Sequence, residues 1–156
     1  MSLITPDELK ILCDMSKGRL LGLDVGSKNV GLALSDKGHI IATPYYVLER
    51  LGWKKDLPYL INLIHAQDVV ACVVGWPINM DGSIGERCAY VMEFYEKMQE
   101  AIDIPVLFWD ERLSTIAAER VLLEADMSRK RRSEVVDKMA ASYILQGVLD
   151  RLRKMS

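Results

Sequence analysis

Three acidic residues of this chain, Asp24, Glu111 and Asp137, stand where carboxylates could do chemistry. Asp24 interrupts the apolar run LLGLDVG at 20–26. An ionised carboxylate inside a buried strand is costly unless a cation or several donors compensate it. Strand alternation puts Leu20, Gly22 and Asp24 on one face, where Gly22 leaves room beside the carboxylate. Gly26 would let a phosphate or metal approach the backbone. Alternatively, Asp24 ends the strand and caps a turn formed by Gly26 and Ser27. Glu111, in WDERLST, follows an apolar strand directly, and a strand's C-terminal end aims side chains into a crevice. It could equally join Asp110 and Arg112 in a surface ion pair. Asp137, in SEVVDKMAASYIL, shares a helical face with Ala140, Ala141, Ile144 and Val148. There it either serves a site or answers the dipole near a helix N-terminus. Carboxylates converging from different elements, without histidine or cysteine, suit Mg²⁺ or Mn²⁺. Two such ions about 4 Å apart activate water and stabilise the leaving oxygen of a phosphodiester.

The elements that must position these residues read as α/β. A short amphipathic helix covers Pro6–Met15, with Thr5 as its N-cap. Strands follow at Leu20–Val25, Val30–Ser35 and His39–Leu48, the last interrupted by Pro44. Their short connections predict an antiparallel meander. A helix at Leu57–Ala66 leads to VVACVVG, Val69–Gly75, an apolar strand covered on both faces. The loop Trp76–Gly82 then opens a helix over about 84–101, with Ser83 and Glu86 matching a capping box. A fifth strand at Pro105–Trp109, a helix near Ile116–Glu124 and a last helix over about 134–153, capped by Ser133, complete the pattern. Three meandering strands and two strand–helix units predict a mixed sheet with helices on both faces, in one domain over 1–156. Residues 1–17 form a short N-terminal helical extension.

Composition narrows the function classes. The chain has 156 residues, 50 % hydrophobic and 27 % charged, as expected of a globular domain and not of a disordered one. Cys13, Cys72 and Cys88 form neither a CxxC pair nor an even disulfide framework, and His39 and His65 match no zinc spacing. No apolar stretch approaches the roughly 20 residues of a membrane helix, and the first ten residues do not resemble a signal peptide. A soluble, cytoplasmic chain with no membrane partner is expected. Net charge is only −2, but it is unevenly spread: residues 129–156 hold 8 basic and 3 acidic side chains. The run Arg129-Lys130-Arg131-Arg132 could neutralise phosphates, or could be a solvated start to a helix.

The segments GLDVGSKNVGLALSD (22–36), VVGWPINMDGSIGER (73–87), DERLSTIAAE (110–119) and VVDKMAASYILQGVLD (135–150) resemble the YqgF nuclease family. These are RuvX-like, Holliday-junction-resolvase-like proteins also associated with maturation of the 16S rRNA 5′ end. Four ordered motifs over about 18–150 carry the resemblance. It implies an RNase H-like fold: a five-stranded mixed sheet of order 3-2-1-4-5 flanked by helices. It also implies that Asp24, Glu111 and Asp137 are the catalytic acids and ligands of two Mg²⁺ or Mn²⁺ ions. Ser27, Lys28 and Arg112 would then contact phosphate oxygens near the metals. Arg129, Arg131 and Arg132 would hold the backbone further out. Asn79 and Asp81 would orient metal-bound water or touch substrate, although Asp81-Gly82 also reads as plain turn chemistry.

Two features depart from simple transfer. Trp76 replaces the family's usual Leu, so its ring either stacks on a base or covers the core. The fifth strand should lie one strand further from Asp24 than the fourth, so Glu111 would need a substrate-induced adjustment to share a metal, with Asp110 as a nearby substitute whose side chain alternation sends the other way. The expected activity is metal-dependent phosphodiester hydrolysis of structured nucleic acid, with the precursor 16S rRNA 5′ end favoured over a four-way DNA junction. A junction resolvase would act as a homodimer, whereas a single-strand ribonuclease could be a monomer. A metal-free nucleic-acid-binding factor on the same fold is the alternative. LDVGSKNVGLALSD also resembles the first phosphate loop of actin-like ATPases and sugar kinases, but those enclose nucleotide between two such domains and 156 residues supply one.

Overall fold

The computed structural model describes residues 3–78, 81–113 and 129–155, and the side chains of the last segment from residue 139 onward. Five strands form one sheet: β1 (Arg19–Val25), β2 (Asn29–Ser35), β3 (Ala42–Glu49), β4 (Val69–Trp76) and β5 (Val106–Asp110). Their order is β3-β2-β1-β4-β5. β2 runs antiparallel to both β1 and β3, while β4 runs parallel to both β1 and β5. This is the mixed sheet of order 3-2-1-4-5 expected above. Helices α1 (Pro6–Met15), α2 (Trp53–Ala66), α3 (Glu86–Ala101) and α4 (Arg129–Lys154) accompany it. Among the described residues, no helix is long and apolar enough to cross a membrane.

Strand alternation sorts the core into two layers. Leu21, Leu23 and Val25 of β1 join Leu60, Leu63 and Ile64 of α2 and Val91, Phe94 and Met98 of α3. Leu20 of β1, with Ala71 and Val73 of β4 and Leu107 and Trp109 of β5, packs against Ala140, Ala141, Ile144 and Leu145 of α4. Helix α4 is seated by absent side chains as much as by present ones. A Cβ on Gly22 would stand 2.9 Å from both the Ala141 carbonyl oxygen and the Leu145 Cβ. Gly22 therefore makes room for the helix, not for the carboxylate next along its face. Gln146 fixes the helix to the sheet's far side, accepting from Ala42 N at 2.9 Å and donating to the Ile40 carbonyl at 3.0 Å.

Local side-chain chemistry shifts several boundaries from the sequence expectation. At α1 the capping box forms as expected, with Glu8 N donating to Thr5 Oγ1 at 3.2 Å and Thr5 N to Glu8 Oε1 at 3.1 Å. At α3 it does not. Asp81 Oδ1 captures the Ser83 amide and hydroxyl at 2.9 and 2.6 Å, so the helix starts later, at Glu86 behind Gly85. Helix α2 begins at Trp53 instead of Leu57, because Asp56 accepts from the Leu51 and Gly52 amides, and the helix carries Pro58 in its interior at the loss of one backbone hydrogen bond. β3 begins at Ala42 instead of His39: Asp36 Oδ1 binds the Ile40 and Ile41 amides at 2.8 and 2.9 Å, and His39 takes φ +59°. Helix α4 starts at Arg129, so Ser133 lies within it and is not its N-cap; the intervening Lys and Arg are good helix formers. The helix expected near Ile116–Glu124 lies outside the described residues. Cys13, Cys72 and Cys88 are free, and burial pushes the Cys72 thiol up to about 12, leaving it inert at neutral pH.

The seat of α4 is testable. Gly22→Ala should cost about 1–3 kcal/mol by overpacking the β1–α4 contact. Urea unfolding of the two proteins measures it, and a change below about 0.5 kcal/mol would mean the contact is loose.

Candidate active site

The C-terminal ends of the parallel strands β1, β4 and β5 lie side by side, and Asp24 and Glu111 stand there. Asp24, the penultimate residue of β1, is only 2 % exposed. Val25 and Gly26 follow it, and the β1–β2 turn closes independently: Gly26 N donates to Asn29 O at 2.9 Å, and Arg50 donates to the Gly26 carbonyl at 2.9 Å. Ser27 and Lys28 are exposed at this turn. Beside it, Ser27, Arg50, Gly52, Trp53, Asp56 and Tyr90 line a cleft of about 320 Å³.

Glu111 opens a single 3₁₀ turn, Glu111–Leu113, directly after β5. The residues WDER separate cleanly. Asp110 takes Arg112 in a fork, accepting from Nη2 at 2.7 Å, from Nε at 3.1 Å and from the backbone amide at 2.9 Å. Glu111 turns inward, its side chain 11 % exposed. The surface ion pair considered for all three residues therefore involves only Asp110 and Arg112.

Gly75 shapes the ground between Asp24 and the fifth strand. Leu23 pairs with Val74 and Gly75 with Trp109, so Gly75 stands between Asp24 and β5. A Cβ at Gly75 would meet Glu111 Oε1 at 2.9 Å and Ile144 Cδ1 at 2.5 Å. Glu111 thus folds back across β4 through the space that this glycine leaves, toward the strand that carries Asp24.

Between the two acids lies Arg87, which residue-level reasoning did not single out. One guanidinium nitrogen is 3.3 Å from Asp24 Oδ1, and the other is 3.9 Å from Glu111 Oε2. Arg87 sits at the second position of α3, and the N-terminal end of a helix dipole disfavours cations. A cation there, inside the motif GSIGER, was the available signal. The glycine ending VVACVVG was the other, hidden because it also read as a strand boundary.

The remaining candidates divide. Asp81 is exposed and serves its turn; hydrogen bonds from Ser83, and then the field of Arg112, hold its carboxyl below the usual range. Arg112 is engaged by Asp110, and its side chain is 33 % exposed. Trp76 stacks on Phe108 at 5.1 Å between ring centroids and so covers the core. Position 137 falls within α4, as do 129, 131 and 132, but the side chains of Asp137, Arg129, Arg131 and Arg132 lie outside the described residues, as does Asn79 altogether. Among the described residues, no group of three His, Cys, Asp or Glu side chains converges as a metal cluster. Asp24 and Glu111 nevertheless fit a hard cation: both donors are carboxylate oxygens, and both already face one positive charge, the Arg87 guanidinium.

A family model, RuvX, described as Holliday junction resolvase, matches residues 18–151. A protein of Paramagnetospirillum magneticum named "Putative pre-16S rRNA nuclease" is 51 % identical over 151 residues, 96 % of each chain. One of the same name from Syntrophomonas wolfei is 52 % identical over 132 residues, covering 85 % of this chain and 94 % of its own. Among solved structures, Thermus thermophilus RuvC in complex with a Holliday junction substrate superposes with TM-score 0.56 at 13 % identity, over 87 % of this chain and 96 % of that one. At that identity the likeness concerns the fold.

Two measurements check this geometry. Gly75→Ala should cost about 1–3 kcal/mol in urea unfolding, because its Cβ collides with Ile144 and Glu111. Arg112, bonded to Asp110, holds that carboxyl below its ordinary value of 3.8. Their ion pair therefore stabilises the fold above about pH 4 and is lost as pH falls through the lower folded value. Asp110→Asn should be less stable than wild type near pH 7, by at most about 1 kcal/mol for so exposed a pair, with the gap closing in acid.

Proposed function

Because this chain belongs to the RuvX family, we propose that it is a metal-dependent nuclease that hydrolyses phosphodiester bonds of structured nucleic acid, with the 5′ end of precursor 16S rRNA as its substrate. The observation that carries this reading is the approach of two buried acids, Asp24 from β1 and Glu111 from the turn after β5, to one guanidinium, that of Arg87. The names of relatives about half identical over nearly the whole chain favour the RNA substrate. The family description favours a second reading, a four-way DNA junction, which would require two copies of the site on one substrate.

Asp24 and Glu111 would hold Mg²⁺ or Mn²⁺, and Asp137 is the third ligand, since the helical period puts it on the face of Ala140, Ala141 and Ile144. When bound, such ions lower the pKa of a coordinated water and offset charge on the leaving oxygen. The protein's own work is to hold the carboxylates aimed before substrate arrives. Strand β1 supplies rigidity at Asp24, and the 3₁₀ turn presents Glu111 from the far side of β4. The exposed Ser27 and Lys28 would meet phosphate oxygens at the crevice rim, and Arg112 those beyond the Asp110 fork. Arg129, Arg131 and Arg132 would hold the nucleic acid further from the reacting bond, making binding weaken with added salt.

Asp24→Asn tests the reading with labelled precursor 16S rRNA 5′ end and a four-way DNA junction, each with Mg²⁺, Mn²⁺ or chelator at fixed salt. Cleavage should require the metal and fall in the variant by more than the about 10–100-fold typical of losing an outer-shell partner. Binding should persist. Unchanged cleavage would remove Asp24 from the mechanism, and the substrate cut faster decides between RNA and junction. Binding without cutting under every condition would mark a nucleic-acid-binding factor.

A further inference from the structure

Building on the metal-dependent reading above, we propose that Arg87 is the resident counter-cation of Asp24 and Glu111 in the metal-free chain, and that a divalent cation enters the site by exchanging with it. Asp24 and Glu111 approach each other from β1 and from beyond β5, with side chains only 3 % and 11 % exposed. Two carboxylates at such burial repel and lose hydration, so the folded chain needs a positive charge between them. Arg87 supplies it from the opposite layer, reaching around the strand ends from the first turn of α3.

The contact has the geometry of an occupant that can leave. At 3.3 and 3.9 Å it is longer than the roughly 2.7–2.9 Å of a well-made guanidinium–carboxylate bond. The fork made by Arg112 on Asp110, at 2.7 Å, shows what a committed pair looks like in the same chain. The Arg87 side chain is 40 % exposed, so it has a path to solvent that Asp24 lacks. A guanidinium cannot shed its proton, so it vacates the pair only by moving. It also sits where the helix dipole disfavours it, which lowers the cost of its departure. Arg87 is therefore a positioning residue: it holds the two acids in register until the metal takes over their oxygens.

Exchange makes a prediction that a merely structural arginine does not. In chelator, Arg87→Gln should raise the unfolding equilibrium constant about tenfold, and saturating Mn²⁺ should largely erase that difference. By the same cycle, Mn²⁺ measured calorimetrically should bind Arg87→Gln about tenfold more tightly than wild type, while Arg87→Lys, which keeps the charge, stays close to wild type. In the wild type, modification of Arg87 by phenylglyoxal, mapped by mass spectrometry, should accelerate when Mn²⁺ is added. A stability loss equal with and without Mn²⁺, or unchanged affinity in Arg87→Gln, would overturn the exchange. Equal tightening in Arg87→Lys would also overturn it. If Mn²⁺ binding to wild type is lost in Asp24→Asn, those results reject the exchange alone; if no form of the protein binds Mn²⁺, the nuclease reading falls and the exchange falls with it.

Discussion

A buried carboxylate at the end of the central strand constrains everything around it. Asp24 sits on β1, the strand with neighbours on both sides and helices over both faces, where water cannot reach it. Ionised, it needs positive charge within a few ångströms. Nothing on its own strand provides one. The cation comes from α3 on one side of the sheet, and the second carboxylate comes from beyond β5, two strands away. The site is thus an agreement among three elements distant in sequence, made at the one edge of the sheet where parallel strands end together.

Glycine is what allows that agreement to be compact. Gly22 and Gly75 lie on the same face of neighbouring strands and do different work. The first lets the backbone of α4 approach β1; the second lets Glu111 lie across β4. Ile144 of α4 also fills the space above Gly75, so helix packing and carboxylate placement share one small volume. That coupling links stability to the site: the helix that carries Asp137 is seated in part by the same missing side chain, at Gly75, that lets Glu111 lie across β4. Trp109, next on β5, packs its indole against Gly147 of the same helix, which extends the close contact along α4.

Capping chemistry sets the loops that border the crevice. Asp81 binds Ser83 instead of leaving it to cap α3, and this delays the helix by enough residues to put Arg87 in its first turn. Asp56 similarly gathers the amides before α2, while Arg50 ties the end of β3 to the β1–β2 turn and lies 5.0 Å from the Trp53 ring centroid. Loop residues with donors and acceptors of their own compete for each other, so the partner nearest in space wins over the one a motif suggests.

The strand order, the meander and the two-layer core were legible in the sequence because hydrophobic period and turn residues are local properties, and because four ordered motifs resemble one family. The burial of Asp24 and the inward turn of Glu111 were legible as residue types in suspicious places. What only the tertiary structure decided is which partner each charged group takes. Asp110 and Glu111 are adjacent in sequence, yet one forks Arg112 and the other crosses β4. Arg87, 63 residues from Asp24, has no local pattern that ties it to that carboxylate. Electrostatic pairing depends on distance in space and on burial, and neither is a function of sequence separation.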